Sequence, residues 1–136
     1  MGLAERRAIK AFETSTYPKL KKEIDEAAHF EVTVEIDWNT LAVEGYAEKY
    51  EEFFPQVYFT PLTTALGAIT VDEMGQEALK SSLKKIVIRN TTGCTTYNDW
   101  ANFENGVLTL EQRPECNVYE TAYRAEALQR ELESKL

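Results

Sequence analysis

The segment from residue 30 to residue 38 alternates strictly between apolar and polar side chains. Its apolar members are Phe30, Val32, Val34, Ile36 and Trp38, and three of the four side chains between them are acidic. Because successive side chains of a β-strand point to opposite faces, this pattern predicts a strand with one buried face and one face in water. The chain must therefore fold around a sheet with one covered face and one open, acidic face.

The dipeptide Asn105-Gly106 separates two strand-like segments, residues 100–104 and 107–111. Both residues tolerate the positive φ angles that the tightest hairpin turns require. A two-residue turn then places four apolar side chains on one face of the hairpin: Ala101, Phe103, Leu108 and Leu110. The β-branched run at 86–88 is typical of a further strand, so a sheet of about four strands is predicted.

Six helical segments are predicted from apolar residues that recur every three or four positions. Their approximate ranges are 3–13, 18–29, 40–54, 61–67, 71–84 and 118–136. Pro55 is expected to end the third helix, and Thr70 and Asn117 resemble the starts of capping boxes. The order of elements predicts one α+β domain, residues 1–136, with a mainly antiparallel sheet of about four strands and helices packed on one face.

The chain carries 23 acidic and 15 basic side chains, a net charge of −8, and the acidic excess is concentrated between residues 31 and 77. That stretch has ten acidic residues and a single lysine. A negative field repels nucleic-acid phosphates and anionic lipid, so neither nucleic acid nor a membrane surface is an expected partner. No apolar run is long enough for a membrane span or an export signal, and a cytoplasmic location is expected.

Residues that usually carry catalysis or hold metal ions are sparse. His29 is the only histidine, and Cys94 and Cys116 lack the short paired spacing of a zinc site. No serine stands in a nucleophile elbow, and no glycine-rich loop could hold phosphate. We therefore predict no catalytic residue, no metal and no cofactor, and a non-catalytic role is favoured over an enzyme.

Two groups of carboxylates form a candidate partner-binding surface. One lies on the polar face of the first strand and the other on one face of the helix predicted over 40–54; their members are Glu31, Glu35 and Asp37, and Glu44, Glu48, Glu51 and Glu52. Like charges at helical spacing repel one another by about a few tenths of a kcal/mol per pair, a cost that a cationic partner relieves. The sequence thus predicts a protein-binding module that docks a basic partner surface.

The alternative is a pocket for a small molecule. Aromatic residues are concentrated between residues 46 and 59, and rings with polar tips are typical of cavities between helices and a sheet. The candidate lining residues are Trp38, Tyr46, Tyr50 and Tyr58, which would serve equally well as core. A homodimer also stays open, because Trp100 and Val107 are expected on the wet face of the sheet.

Overall fold

The computed structural model describes all 136 residues and contains six α-helices and four β-strands. The helices are α1 (Leu3–Ala11), α2 (Tyr17–Ala28), α3 (Tyr50–Phe54), α4 (Thr60–Ile69), α5 (Glu73–Ser82) and α6 (Thr121–Glu133). The strands are β1 (Val34–Ile36), β2 (Lys85–Arg89), β3 (Ala101–Glu104) and β4 (Val107–Glu111). The α+β class is therefore confirmed, and no helix is long and apolar enough to cross a membrane.

The sheet is mixed, with the strand order β1-β2-β4-β3. Strand β2 runs parallel to both β1 and β4, and only the β3–β4 hairpin is antiparallel. The prediction of a mainly antiparallel sheet is wrong, because the connections from β1 to β2 and from β2 to β4 are long crossovers that return the chain in the same direction. The hairpin itself is confirmed in its predicted register, with Phe103 opposite Leu108 and Ala101 opposite Leu110.

Strand β1 is shorter than the alternation predicts. Only the backbone from Thr33 to Asp37 is bonded to β2, through Ile86 N–H to Thr33 O at 2.8 Å and Asp37 N–H to Ile88 O at 3.0 Å. Before Thr33 the chain is tied to α2 instead, since the Val32 N–H donates to the Asp25 carboxylate at 2.9 Å. The predicted nine-residue strand is thus a three-residue strand with extended flanks.

The predicted breaks between helices are bridged by π-helical turns. Residues Phe12–Thr16 join α1 to α2, and Pro55–Phe59 join α3 to α4. Pro55 therefore does not end a helix as predicted, because it lies where the backbone hydrogen-bond pattern changes and its missing N–H costs little. Helices α1 and α2 therefore form one continuous helical segment, and α3 and α4 form another.

The helix predicted over 40–54 begins only at Tyr50. Residues Trp38–Leu41 and Ala47–Lys49 form short 3₁₀ turns, and Gly45 between them has a φ of 85°, which interrupts regular helix. The Thr40 hydroxyl accepts the Asn90 N–H at 2.9 Å rather than capping a helix. The four glutamates of this region therefore do not share one helical face: Glu44, Glu48, Glu51 and Glu52.

Two helix starts also differ from the predicted capping boxes. Asp72, not Thr70, caps α5 by accepting the Gly75 N–H at 2.8 Å. The buried Thr70 hydroxyl donates to Ala27 O at 2.7 Å and to Leu66 O at 2.9 Å instead. Asn117 has a φ of 51° and lies in a turn, so α6 begins at Thr121. In both cases a tertiary contact or a backbone turn prevails over a local capping pattern.

The helices cover one face of the sheet and bury its apolar side chains, namely Ile86, Ile88, Phe103, Leu108 and Leu110. The opposite face is open, with Glu35, Asn102 and Glu104 exposed. Trp100 does not lie on this wet face as predicted. It is buried, and its indole N–H donates to Arg124 O of α6 at 3.0 Å, so Trp100 is not free for the expected dimer contact.

Candidate functional site

The carboxylates that the sequence singled out are all exposed, but they lie in two separate regions. On β1, Glu35 pairs with Lys85 of β2 at 3.2 Å on the open face of the sheet. Glu31 and Asp37 flank the strand without a cationic partner. The second region, residues 44–54, is called the acidic segment below.

The acidic segment carries its glutamates on three kinds of local structure. Glu44 lies in a turn, Glu48 in a 3₁₀ turn, and Glu51 and Glu52 in the first turn of α3. None of the four forms an ion pair. Negative side chains are favourable at the start of a helix, where the helix dipole is positive, so α3 tolerates this crowding of charge.

A shallow depression of about 490 Å³ lies beside the acidic segment. It is lined by Phe53, Glu115, Asn117, Val118, Tyr119 and Glu120, and we call it the Tyr119 depression. Tyr119 is 72% exposed, and its hydroxyl donates to a carboxylate oxygen of Glu52. This hydrogen bond, with the negative charge of Glu52, raises the pKa of Tyr119. The loop before α6 is thereby joined to the acidic segment.

Arg124 holds this loop in place from inside the protein. The Arg124 side chain is fully buried, and its guanidinium donates to Asn117 O at 2.9 Å and to Val118 O at 2.8 Å. Burial lowers the pKa of Arg124, but a guanidinium stays charged in proteins. The Asn117 amide donates in turn to Thr95 O at 2.6 Å. The loop that carries Tyr119 is therefore held in place by hydrogen bonds to the rest of the protein.

Glu115 is an unusual member of the Tyr119 depression because its side chain is only 8% exposed. One carboxylate oxygen accepts from Arg113 at 2.6 Å, and the other is buried without a hydrogen-bond partner. Glu115 and Glu120 thus line the depression beside Phe53 and Val118, and Glu52 is joined to it through the Tyr119 hydroxyl. Such a site suits a lysine or arginine, whose aliphatic stem packs on apolar groups while the charged end meets carboxylates.

The four aromatic residues proposed for a small-molecule pocket have different surroundings. Tyr50 and Tyr58 are buried; the Tyr50 hydroxyl contacts the Val43 backbone, and the Tyr58 hydroxyl donates to Gln112 O at 2.5 Å. Trp38 packs on Phe12 and Tyr17, and Tyr46 is partly exposed beside Phe53. None of the four lines any of the five main surface depressions.

Cys94 and Cys116 lie in loops, and His29 follows directly after α2. Burial raises the pKa of both Cys94 and Cys116, which favours the neutral thiol over the nucleophilic thiolate. His29 ends α2 in the left-handed conformation, with a φ of 67°. No group of three or more His, Cys, Asp or Glu side chains is placed to hold a metal ion.

The residues of the Tyr119 depression that do not belong to the acidic segment were missed by the sequence reasoning. Glu115, Val118, Tyr119 and Glu120 lie more than 60 residues after Glu52 in the chain, and Tyr119 is 67 positions from it. In the sequence, Tyr119 falls in the first turn of the helix predicted over 118–136, and no local pattern indicates its contact with Glu52. No protein-family model matches the chain, and no curated protein or solved structure shows significant similarity to it.

Proposed function

We propose that this chain is a non-catalytic module that binds a basic surface of another protein. The Tyr119 depression receives a lysine or arginine side chain of that partner, and the acidic segment contacts further cations around it. Glu31, Glu35 and Asp37 contribute to the negative field that attracts the partner before contact.

The observation that carries this proposal is the combination of groups in the Tyr119 depression. Two carboxylate residues, Glu115 and Glu120, line the depression beside Phe53, and Glu52 is joined to it through the hydrogen bond from the Tyr119 hydroxyl. One oxygen of Glu115 is buried without a donor. A buried acceptor without a donor is costly. A cationic side chain that seats in the depression would reduce this cost and also relieve the repulsion among the neighbouring carboxylates.

The charges of the acidic segment support the same partner chemistry. Its four glutamates make no ion pair within the chain. Glu51 and Glu52 accept hydrogen bonds only from the neutral hydroxyls of Thr16 and Tyr119, so their negative charge is not compensated. Exposed charges contribute mainly to the rate and specificity of association. Binding should therefore weaken as the salt concentration rises, because salt screens exposed charges.

A pull-down from a lysate of the source organism, run at low and at high salt, tests the proposal. The surface variant replaces four glutamates of the acidic segment by glutamine: Glu44→Gln, Glu48→Gln, Glu51→Gln and Glu52→Gln. The matched control makes the same change in net charge on other exposed helix positions: Glu26→Gln, Glu73→Gln, Glu77→Gln and Glu126→Gln.

The expected result is capture of a basic protein by the wild type and by the matched control, with loss of capture by the surface variant and at high salt. Equal capture by the surface variant and the wild type would contradict the proposal. Equal losses in both variants would show that net charge, rather than the acidic segment, governs binding, and would contradict it as well.

A further inference from the structure

The two outer edges of the sheet differ in whether their outward backbone groups are hydrogen-bonded to other parts of the chain. At the β3 edge, the Glu131 carboxylate accepts the Phe103 N–H at 2.8 Å, and the Lys135 ammonium donates to Phe103 O at 2.9 Å. Glu131 and Lys135 also pair with each other at 2.8 Å. Side chains at the end of the last helix thus occupy backbone groups to which another strand would bind.

At the β1 edge the corresponding groups have no partner. In a parallel ladder alternate residues bond to the neighbouring strand, and here Thr33 and Asp37 bond to β2. Val34 and Ile36 therefore direct their N–H and C=O groups away from β2, and no side chain or loop forms a hydrogen bond with them. This edge offers two donors and two acceptors in the spacing of a β-ladder.

We propose that the β1 edge is a site for strand addition by an extended, basic segment of a partner protein. The segment pairs antiparallel to β1 and exchanges backbone hydrogen bonds with Val34 and Ile36. This mode of recognition takes affinity from the main chain and specificity from alternate side chains. The proposal does not rest on the Tyr119 depression, which is a separate surface.

The charges around the edge determine which occupant fits. Glu31, Glu35 and Asp37 are exposed on β1 and its flanks, and Lys85 of β2 pairs with Glu35. An added strand would place a side chain directly opposite Glu35 on the open face of the sheet, where opposite charge is stabilising and like charge is destabilising. A lysine or arginine at that position is therefore favoured.

Repulsion between like charges disfavours a second copy of this chain as the occupant. Two β1 strands pairing antiparallel about a two-fold axis would bring the Glu35 side chains of both copies close together, together with their flanking acids. An extended segment with alternating basic and apolar residues meets no such repulsion. Its apolar residues would lie on the covered face of the sheet, level with Val34 and Ile36.

The test uses a short acetylated peptide in which lysine and valine alternate, and two methylated forms of it. In the proposed pairing the valine N–H groups donate to β1 and the lysine N–H groups point away. Methylation of the valine nitrogens should weaken binding by about tenfold or more, whereas methylation of the lysine nitrogens should change it much less. Peptide binding should also slow hydrogen exchange of the Val34 and Ile36 amides.

A variant of the protein provides an independent test of strand addition. Val34→Pro removes an N–H that points outward, so it should spare the ladder to β2 while weakening peptide binding by about tenfold. Urea unfolding shows whether this variant folds. If it does not fold, the two methylated peptides still test whether the peptide pairs with β1 through its backbone. Glu35→Lys should weaken binding through charge repulsion.

Several outcomes would overturn the inference. Equal weakening by both methylated peptides, or unchanged exchange of the Val34 and Ile36 amides, would show that the peptide is held without strand pairing. Protection of these amides in a dimer without peptide would assign the edge to a second copy. The surface variant should bind the peptide as the wild type does. If it loses the peptide, the peptide binds at the acidic segment, which contradicts strand addition but leaves the proposed function standing.

Discussion

Two groups of carboxylates in this chain have opposite surroundings. Glu111 and Glu131 each accept a backbone N–H and each pair with a cation, Arg89 at 2.7 Å and Lys135 at 2.8 Å respectively. The glutamates of the acidic segment bind no cation of their own chain. The first group holds strands and loops together, whereas the second is exposed and has no ion pair within the chain.

The pKa values of Glu111 and Glu131 reflect their hydrogen bonds and ion pairs. Burial alone would raise the pKa of Glu111, but hydrogen bonds from Thr91 and Arg89 lower it below its ordinary value. Burial likewise acts to raise the pKa of Glu131, and the bonds from Lys135 and the Phe103 N–H lower it. Both carboxylates are therefore more stable as anions in the folded chain than in the unfolded one. Negative charge at these two positions stabilises the fold.

The largest expected effect is the loss of stability on replacing Glu111. Its two oxygens accept from Arg89, the Thr91 N–H and the Thr91 hydroxyl at 2.7 to 2.8 Å, in a nearly buried position. Glu111→Gln should lower the free energy of unfolding by about 2–3 kcal/mol, because a charged acceptor of several hydrogen bonds is lost. Urea unfolding measures this, with the exposed Glu104→Gln as control. A loss below about 0.5 kcal/mol would contradict the structural role of Glu111.

The next effect concerns binding rather than folding. Tyr119→Ala should weaken capture of the basic partner by about tenfold, because the wall of the Tyr119 depression is removed. The stability of the Tyr119→Ala variant should stay close to that of the wild type, since the Tyr119 side chain is 72% exposed. Tyr123→Ala is the matched control, because Tyr123 is also exposed on α6 but lines no part of the depression. Equal weakening by both variants would argue against a specific contact at Tyr119.

A smaller loss of stability is expected at Glu131, which is more exposed than Glu111. Glu131→Gln should reduce the free energy of unfolding by about 1 kcal/mol, because solvent screens its pair with Lys135 while the hydrogen bond from Phe103 is weakened. Glu126→Gln on the same helix, where the side chain is exposed, should be near neutral. If Glu131→Gln is as neutral as this control, the β3 edge does not depend on its carboxylate.

The lowered pKa values also predict how stability depends on pH. A carboxyl whose pKa is lower in the folded chain contributes stability above its unfolded pKa and loses that contribution as pH falls through the folded pKa. The free energy of unfolding should therefore decline below about pH 4.5. A double variant, Glu111→Gln with Glu131→Gln, should show a shallower decline in urea unfolding between neutral and acidic pH. A slope as steep as that of the wild type would assign the acid sensitivity to other groups.

The hairpin is the element that the sequence predicted best. The Asn105-Gly106 turn fixes both the hairpin and its register, because the residues that decide it are adjacent in the chain. The strand at β1 was likewise visible as alternation, although its length was not. Its effective length depends on where β2 can reach it and on Asp25, which takes the Val32 N–H.

Contacts between residues far apart in the chain could not be predicted from the sequence. The parallel order of β1, β2 and β4 depends on crossovers whose course no local pattern specifies. Trp100 looked like a surface residue until α6 covered it, and the hydroxyl of Tyr119 meets Glu52 across 67 positions. The exposed carboxylates were predictable as a feature of composition, but their division into two groups depends on partners such as Arg89 that lie far along the chain.

The most direct test of this division is the free energy of unfolding of the surface variant at low ionic strength. If the glutamates of the acidic segment serve a partner and not the fold, the variant should be as stable as the wild type or more stable by about a few tenths of a kcal/mol, because repulsion is relieved. A loss of about 1 kcal/mol or more would place these carboxylates with Glu111 and Glu131, as parts of the fold, and would contradict the account.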